Sequence, residues 1–150
     1  YECTIPMIIN IRHAGIVVFD LEASLKFYTE KLGFQVSKKM NESGVFIDKV
    51  LGFKGLEVTT VKMILGNGQM IELLDFSTHR KEKIKKSINN VGLTHLAFTV
   101  DNVDVIYNSF ISDGIEFISN PRTSPDGFVK VAFCKAPEGT YIELVELLKE

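Results

Sequence analysis

The spacing of apolar residues changes rhythm along the chain, and the changes mark its elements. Residues 8–19 form a long, mostly apolar run with the length and branching of a strand. After Asp20, apolar Leu21, Leu25, Tyr28 and Leu32 recur at i, i+4, i+7 and i+11, one face of a helix. Asp20 is placed to cap that helix and Gly33 to stop it. Residues 34–39 read as a strand. Residues 58–65 and 69–76 read as a hairpin around Gly66-Asn67-Gly68, where Asn-Gly accepts positive φ. The same order then returns. Residues 93–100 predict a strand, and Asp101 a helix cap. Ile106, Phe110 and Ile111 predict an apolar helix face, and Gly114 a stop. Residues 115–119, 128–134 and 140–147 predict strands, with a turn at Ala136-Pro137-Glu138-Gly139.

Each half therefore reads β-α-β-β-β, and the halves resemble each other. His13-Ala-Gly-Ile-Val-Val18 aligns with His95-Leu-Ala-Phe-Thr-Val100, and Gly33 with Gly114. Gly68-Gln-Met-Ile-Glu72 aligns with Gly139-Thr-Tyr-Ile-Glu143. The first half is longer by about ten residues, which fall within 41–57. A chain of 150 residues is expected to be one domain. Its first repeat covers about 8–76, a linker 77–91, and its second repeat about 92–148. The fold class is α+β.

The duplication singles out four polar residues. Side chains alternate faces along a strand. His13 shares a face with Ile11, Gly15 and Val17, and Glu72 with Met70 and Leu74. Likewise His95 shares one with Ala97 and Thr99, and Glu143 with Tyr141 and Val145. Carboxylates are rarely buried among apolar neighbours unless paired. Here two such glutamates occupy equivalent positions. Two imidazoles and two carboxylates make a first shell whose −2 charge a divalent cation cancels. The nitrogen and oxygen donors suit Zn²⁺, Ni²⁺, Co²⁺, Mn²⁺ or Fe²⁺, and lack the thiolates of structural zinc sites. His79 has no repeat partner and reads as an exposed loop histidine.

Composition narrows the alternatives. The hydrophobic fraction of 45% and charged fraction of 24% are those of a globular protein. A net charge of −2 gives no footprint for nucleic acid or an anionic membrane. No apolar stretch has the roughly 18 residues of a membrane span. Residues 1–6 lack a signal-peptide pattern, and Met7 is a candidate native start. Cys3 and Cys134 are too few for a disulfide framework and read as reduced thiols in a cytoplasmic protein. The basic run Arg80-Lys-Glu-Lys-Ile-Lys-Lys86 is most simply a solvated linker helix, a phosphate- or coenzyme-binding role being the alternative.

Four ordered segments resemble the vicinal oxygen chelate superfamily, the glyoxalase / bleomycin-resistance / extradiol dioxygenase fold. They are His13 to Phe34 with Asp20, Phe27 and Gly33 between; Ile71-Glu72-Leu-Leu74; Gly92-Leu-Thr-His95-Leu-Ala-Phe98; and Ala136-Pro-Glu-Gly-Thr-Tyr-Ile-Glu143. The resemblance spans nearly all of residues 8–147. It implies two βαβββ modules forming a curved, mostly antiparallel eight-stranded sheet around a metal cup, with helices outside. The cup of such proteins forms within one chain or between the chains of a homodimer.

A His/Glu/His/Glu set is similar to that of glyoxalase I and, with glutamine for the first glutamate, of methylmalonyl-CoA epimerase. The resemblance implies a divalent-metal-dependent lyase or isomerase. It would act on a small carbonyl or thioester substrate through a metal-stabilised enolate or enediolate, with Glu72 and Glu143 as catalytic carboxylates. Glu42 is a further candidate base by its resemblance to the epimerase. The alternatives are an Fe(II) extradiol-type dioxygenase, which uses three ligands without the first-half acid, and a non-catalytic small-molecule binding or resistance protein. Val17 stands where glyoxalase I commonly has a glutathione-gripping arginine, and Phe76 where it has an asparagine; both argue against glutathione. The insertion is apolar enough to cover a pocket. Phe46, Phe53 and Met63 are its candidate substrate-binding residues.

Overall fold

The computed structural model describes residues 6–149. Cys3 lies outside them. The described residues form eight strands and three α-helices, arranged as two compact units.

The first unit is a four-stranded mixed sheet of order β1-β4-β3-β2. Its strands are β1 (Ala14–Val17), β2 (Gln35–Ser43), β3 (Glu57–Ile64) and β4 (Met70–Phe76). β1 runs parallel to β4, while β2, β3 and β4 are antiparallel neighbours. Val61, Met63, Ile71 and Leu73 are buried on one face of β3 and β4. β1 is shorter than the expected strand over 8–19. Its one neighbour, β4, begins at Met70, so residues 8–12 have no partner strand among the described residues. Ile8, Ile9 and Ile11 are accordingly exposed.

The additional residues of the first half fold into α2 (Val45–Leu51), between Gly44 and Gly52. Ile47 packs with Leu56 and Val58, and Phe53, Leu74 and Phe76 join them. The Asp48 carboxylate accepts from the N–H groups of Gly55 (2.9 Å) and Leu56 (2.8 Å), which ties the chain back after the helix.

The second unit holds a sheet of order β5-β8-β7-β6, together with α1 and α3. Its strands are β5 (His95–Val100), β6 (Arg122–Thr123), β7 (Val129–Lys135) and β8 (Tyr141–Leu147). Pairing repeats the first sheet, β5 parallel to β8 and the rest antiparallel. Ala132, Cys134, Ile142 and Leu144 are buried on one face. Burial pushes the Cys134 thiol up to about 12.

α1 (Leu21–Lys26) is capped as its sequence predicts. The Asp20 carboxylate accepts from the Ala23 N–H at 3.1 Å. The helix widens into a π-helical turn over Phe27–Lys31 and ends at Gly33, whose φ of 79° favours glycine. In α3 (Val103–Ser112) the cap is Asn102, one residue after the expected Asp101; its side chain accepts from Val105.

Two expected elements are corrected. Residues 115–119 form no strand: Phe117 makes a single bridge to Cys134, and pairing resumes at β6. The Phe117 ring packs on Tyr107 and Phe110 of α3, which draws this stretch toward the helix. The basic run, expected as a linker helix, has no regular structure over 80–87. Lys81 and Lys85 at i, i+4, and Lys83 and Lys86 at i, i+3, would place like charges together on a helix.

Candidate metal centre

In the first unit, β4 carries Glu72 and His13 immediately precedes β1. Gly15 is the register partner of Glu72, so His13 lies two residues before that pairing. The His13 Nε2 is 3.8 Å from Glu72 Oε1, with side chains 26% and 15% exposed. In the second unit β5 opens with His95 and β8 carries Glu143. Ala97 is the register partner of Glu143, two residues after His95. The His95 Nε2 is 3.5 Å from Glu143 Oε2. The two pairs therefore have one local geometry, set by the same parallel strand pairing.

The structure brings the four predicted ligands together as these two pairs, one per unit. Among the described residues no three or more His, Cys, Asp or Glu side chains cluster as a metal-binding group.

The donors of each pair fit a divalent cation. Nδ1 of His13 is buried and has no hydrogen-bond partner among the described residues, and its Nε2 lies near the Glu72 carboxylate but beyond ordinary hydrogen-bond length. An ordinary core histidine would have both nitrogens engaged. Nδ1 of His95 meets the Thr94 hydroxyl at 3.1 Å, and its ring stands edge-on to Phe133, the register partner of Glu143. Those contacts fix the ring and leave Nε2 turned to the carboxylate.

The face of the first sheet that bears Glu72 also carries Thr60, Lys62 and Leu74, by the β3–β4 register. Glu42 on β2 joins this face and accepts a hydrogen bond from the Thr60 hydroxyl at 2.9 Å. Thr60 was not singled out by the sequence, because a threonine within an apolar strand carries no signal of its own. Val17 and Phe76, at the positions where glyoxalase I commonly has arginine and asparagine, lie on this face too. Val17 pairs with Leu74, and Phe76 packs against Phe53 at 6.0 Å between ring centroids. The inserted segment thus covers one end of the Glu72 face with apolar groups.

The three aromatic and sulfur candidates divide. Phe46 is exposed on α2 and Phe53 is partly buried under it. Met63 is fully buried on the opposite side of β3 from Lys62, the partner of Glu72. Met63→Ala is expected to cost about 2–5 kcal/mol of stability, as buried methionine truncations do, read by urea denaturation. His79 is exposed, and its ring lies 4.9 Å from that of Phe53.

A buried polar cluster in the second unit was also illegible in the sequence. Glu138, in the turn between β7 and β8, is 6% exposed. Its carboxylate accepts from the Ser24 hydroxyl at 3.3 Å, and the Tyr28 hydroxyl reaches it at 3.5 Å. Burial raises the Glu138 carboxyl above its ordinary value, opposed by hydrogen bonds from the backbone, Tyr28, Ser24 and Thr140. Burial, then the Glu138 charge, raises the Tyr28 phenol as well. A serine and a tyrosine four residues apart, Ser24 and Tyr28, mark one side of the cluster in the sequence, but nothing local assigns Glu138 to them.

Residues 10–144 match the Glyoxalase/Bleomycin resistance protein/Dioxygenase superfamily, and the chain belongs to that family. It is 32% identical over 144 residues to a lactoylglutathione lyase of Schizosaccharomyces pombe, covering 91% of this chain but 47% of that protein. The chain thus spans about half the length of that relative. It is 30% identical to the uncharacterized protein YwkD of Bacillus subtilis, covering 91% of this chain and 96% of the other. A glyoxalase family protein of Bacillus cereus has the same fold, with a TM-score of 0.86 over 96% of this chain and 97% of the other at 22% identity. Among the described residues no helix is long and apolar enough to cross a membrane.

Proposed function

We propose that the chain is a divalent-metal-dependent lyase or isomerase acting on a small carbonyl or thioester substrate. The observation that carries this reading is the His–Glu pair repeated in the same strand register, at 3.8 Å and 3.5 Å. His13, Glu72, His95 and Glu143 would hold the ion, two neutral nitrogens and two carboxylates balancing its charge. The bound ion would supply a Lewis acid that polarises the substrate carbonyl. Glu72 and Glu143 are the groups that take a proton from the carbon beside that carbonyl and return it. Glu42, held by Thr60 on the Glu72 face, is the remaining candidate base. Phe46 and Phe53 would bound an apolar part of the substrate beside Val17 and Phe76. That lining favours a substrate other than a glutathione conjugate.

The lyase and epimerase among its relatives support the reaction class. A 2-epi-5-epi-valiolone epimerase of Actinomyces is 23% identical over 150 residues. The presence of Glu72 in the same relation to His13 as Glu143 to His95 favours this class over a three-ligand dioxygenase. A homodimer is part of the proposal, checked by analytical ultracentrifugation. The decisive experiment is metal analysis of the purified chain, combined with proton NMR in D₂O over a panel of small carbonyl and thioester compounds. The expected result is one equivalent of divalent ion per site and deuterium entering beside the carbonyl, abolished by a chelator. Protein without stoichiometric metal, or exchange indifferent to chelation, would falsify the reading. S-lactoylglutathione formation is measured alongside and is expected to be weak.

A further inference from the structure

The second unit contains a cavity of about 510 Å³, where the basic run passes the turn between β7 and β8. Lys83, Lys85, Lys86 and Lys135 line it, with Glu116 the one acidic group in its wall. Four lysines against one glutamate among the lining residues make this wall net basic in a chain whose net charge is −2. Basic runs are usually solvated surface. Three features separate this one from that case.

First, the run is fastened. Lys83 Nζ donates to the Pro137 carbonyl at 2.8 Å, and the Tyr141 hydroxyl donates to the Lys86 carbonyl at 3.3 Å. Lys135 lies 5.3 Å from the centroid of the same tyrosine ring. Second, among the described residues none of the four lysines forms an ion pair with a carboxylate, whereas Lys31 pairs with Asp113 and Lys130 with Asp104. An ammonium group has three donors, so Lys83 retains two beyond its carbonyl contact. Third, the wall is partly apolar, with buried Phe27 and half-buried Ile115 beside the lysines. A cavity of this size with an apolar wall and a few convergent charges is the usual form of a small-molecule site.

We propose that this cavity binds an organic diphosphate, such as a nucleoside diphosphate. Lys83, Lys85, Lys86 and Lys135 hold the phosphates, and the Phe27 and Ile115 wall holds the organic group. Lysine ammonium groups bind phosphate oxygens as point charges. None of the His–Glu residues lines this cavity, although Tyr141, which fastens Lys86, is the strand partner of His95; the proposal does not depend on the reaction proposed for those pairs.

The test is isothermal titration of the full chain with adenosine diphosphate and, separately, with inorganic pyrophosphate, without added divalent ions. Adenosine diphosphate is expected to bind at one site, more tightly than pyrophosphate. The double variant Lys85→Ala/Lys86→Ala is expected to weaken it at least about tenfold, by loss of two charge-assisted contacts. Absence of saturation at millimolar ligand overturns the proposal. So does equal affinity in the double variant, or pyrophosphate binding as tightly as the nucleotide. Circular dichroism of each variant separates loss of binding from loss of fold.

Discussion

His95→Ala is expected to lower divalent-metal affinity by at least about 100-fold, which corresponds to about 2.8 kcal/mol. Loss of a group that merely orients a metal ligand costs about 10–100-fold in affinity or activity, so loss of a ligand itself belongs at or above the top of that range. The side chain is 43% exposed, so its removal should leave the fold in place. Glu72→Ala makes the sharper comparison. If both pairs serve one ion, it removes one of the two charges that balance the cation, and affinity falls as in His95→Ala. A three-ligand site would leave metal binding intact in Glu72→Ala. Glu42→Gln, by contrast, should retain the metal, because its carboxylate is engaged with Thr60. Metal content after dialysis, measured for all three variants with circular dichroism as the control for folding, decides the matter. Full metal occupancy in His95→Ala would remove the basis for the four-residue assignment.

These variants probe a feature that was legible before any coordinates. A strand alternates faces residue by residue, so two short segments sufficed to place a histidine and a glutamate on one face in each half. The parallel pairing of β1 with β4 and of β5 with β8 then sets each histidine beside its glutamate. The Asp20 cap and the Gly33 stop were legible for a similar reason, since each acts through its immediate neighbours. What escaped the sequence depends on contacts distant along the chain. Residues 115–119 alternate like a strand, yet Phe117 is held by α3. Residues 80–87 have helix-forming side chains, yet they run irregularly and are fastened to Pro137 and Tyr141. α2 is short and bounded by glycines, so its apolar residues carried no clear period; packing on Val58, Leu74 and Phe76 accounts for it. A glutamate within a Pro-Glu-Gly turn reads as solvated, and only the packing of α1 encloses Glu138.

That enclosure makes Glu138 the source of a pH-dependent stability, visible in the comparison of two variants. Its carboxyl is raised in the folded chain, chiefly by burial. Between the ordinary carboxylate value and the raised one, the folded state holds more protons than the unfolded state. The slope of unfolding free energy with pH is therefore negative in that window. Glu138 contributes its full stability when protonated, below the unfolded value, and that contribution is lost as pH rises through the folded one. Glu138→Gln keeps the shape and a neutral amide, so it should lack this slope and gain on the parent as pH rises. Glu138→Ala removes the carboxylate partner of the fully buried Ser24 hydroxyl and one of the partners of the fully buried Tyr28 hydroxyl, which also bonds with Thr140. Loss of the partner of a buried donor such as the Ser24 hydroxyl costs about 1–3 kcal/mol, so the alanine variant should be less stable than the parent at every pH. Urea denaturation of the three proteins from about pH 4 to about pH 8, spanning the ordinary carboxylate range upward, provides the measurement. Parallel curves for parent and Glu138→Gln would show that the buried carboxyl does not titrate in that window and that its enclosure is purely a packing feature.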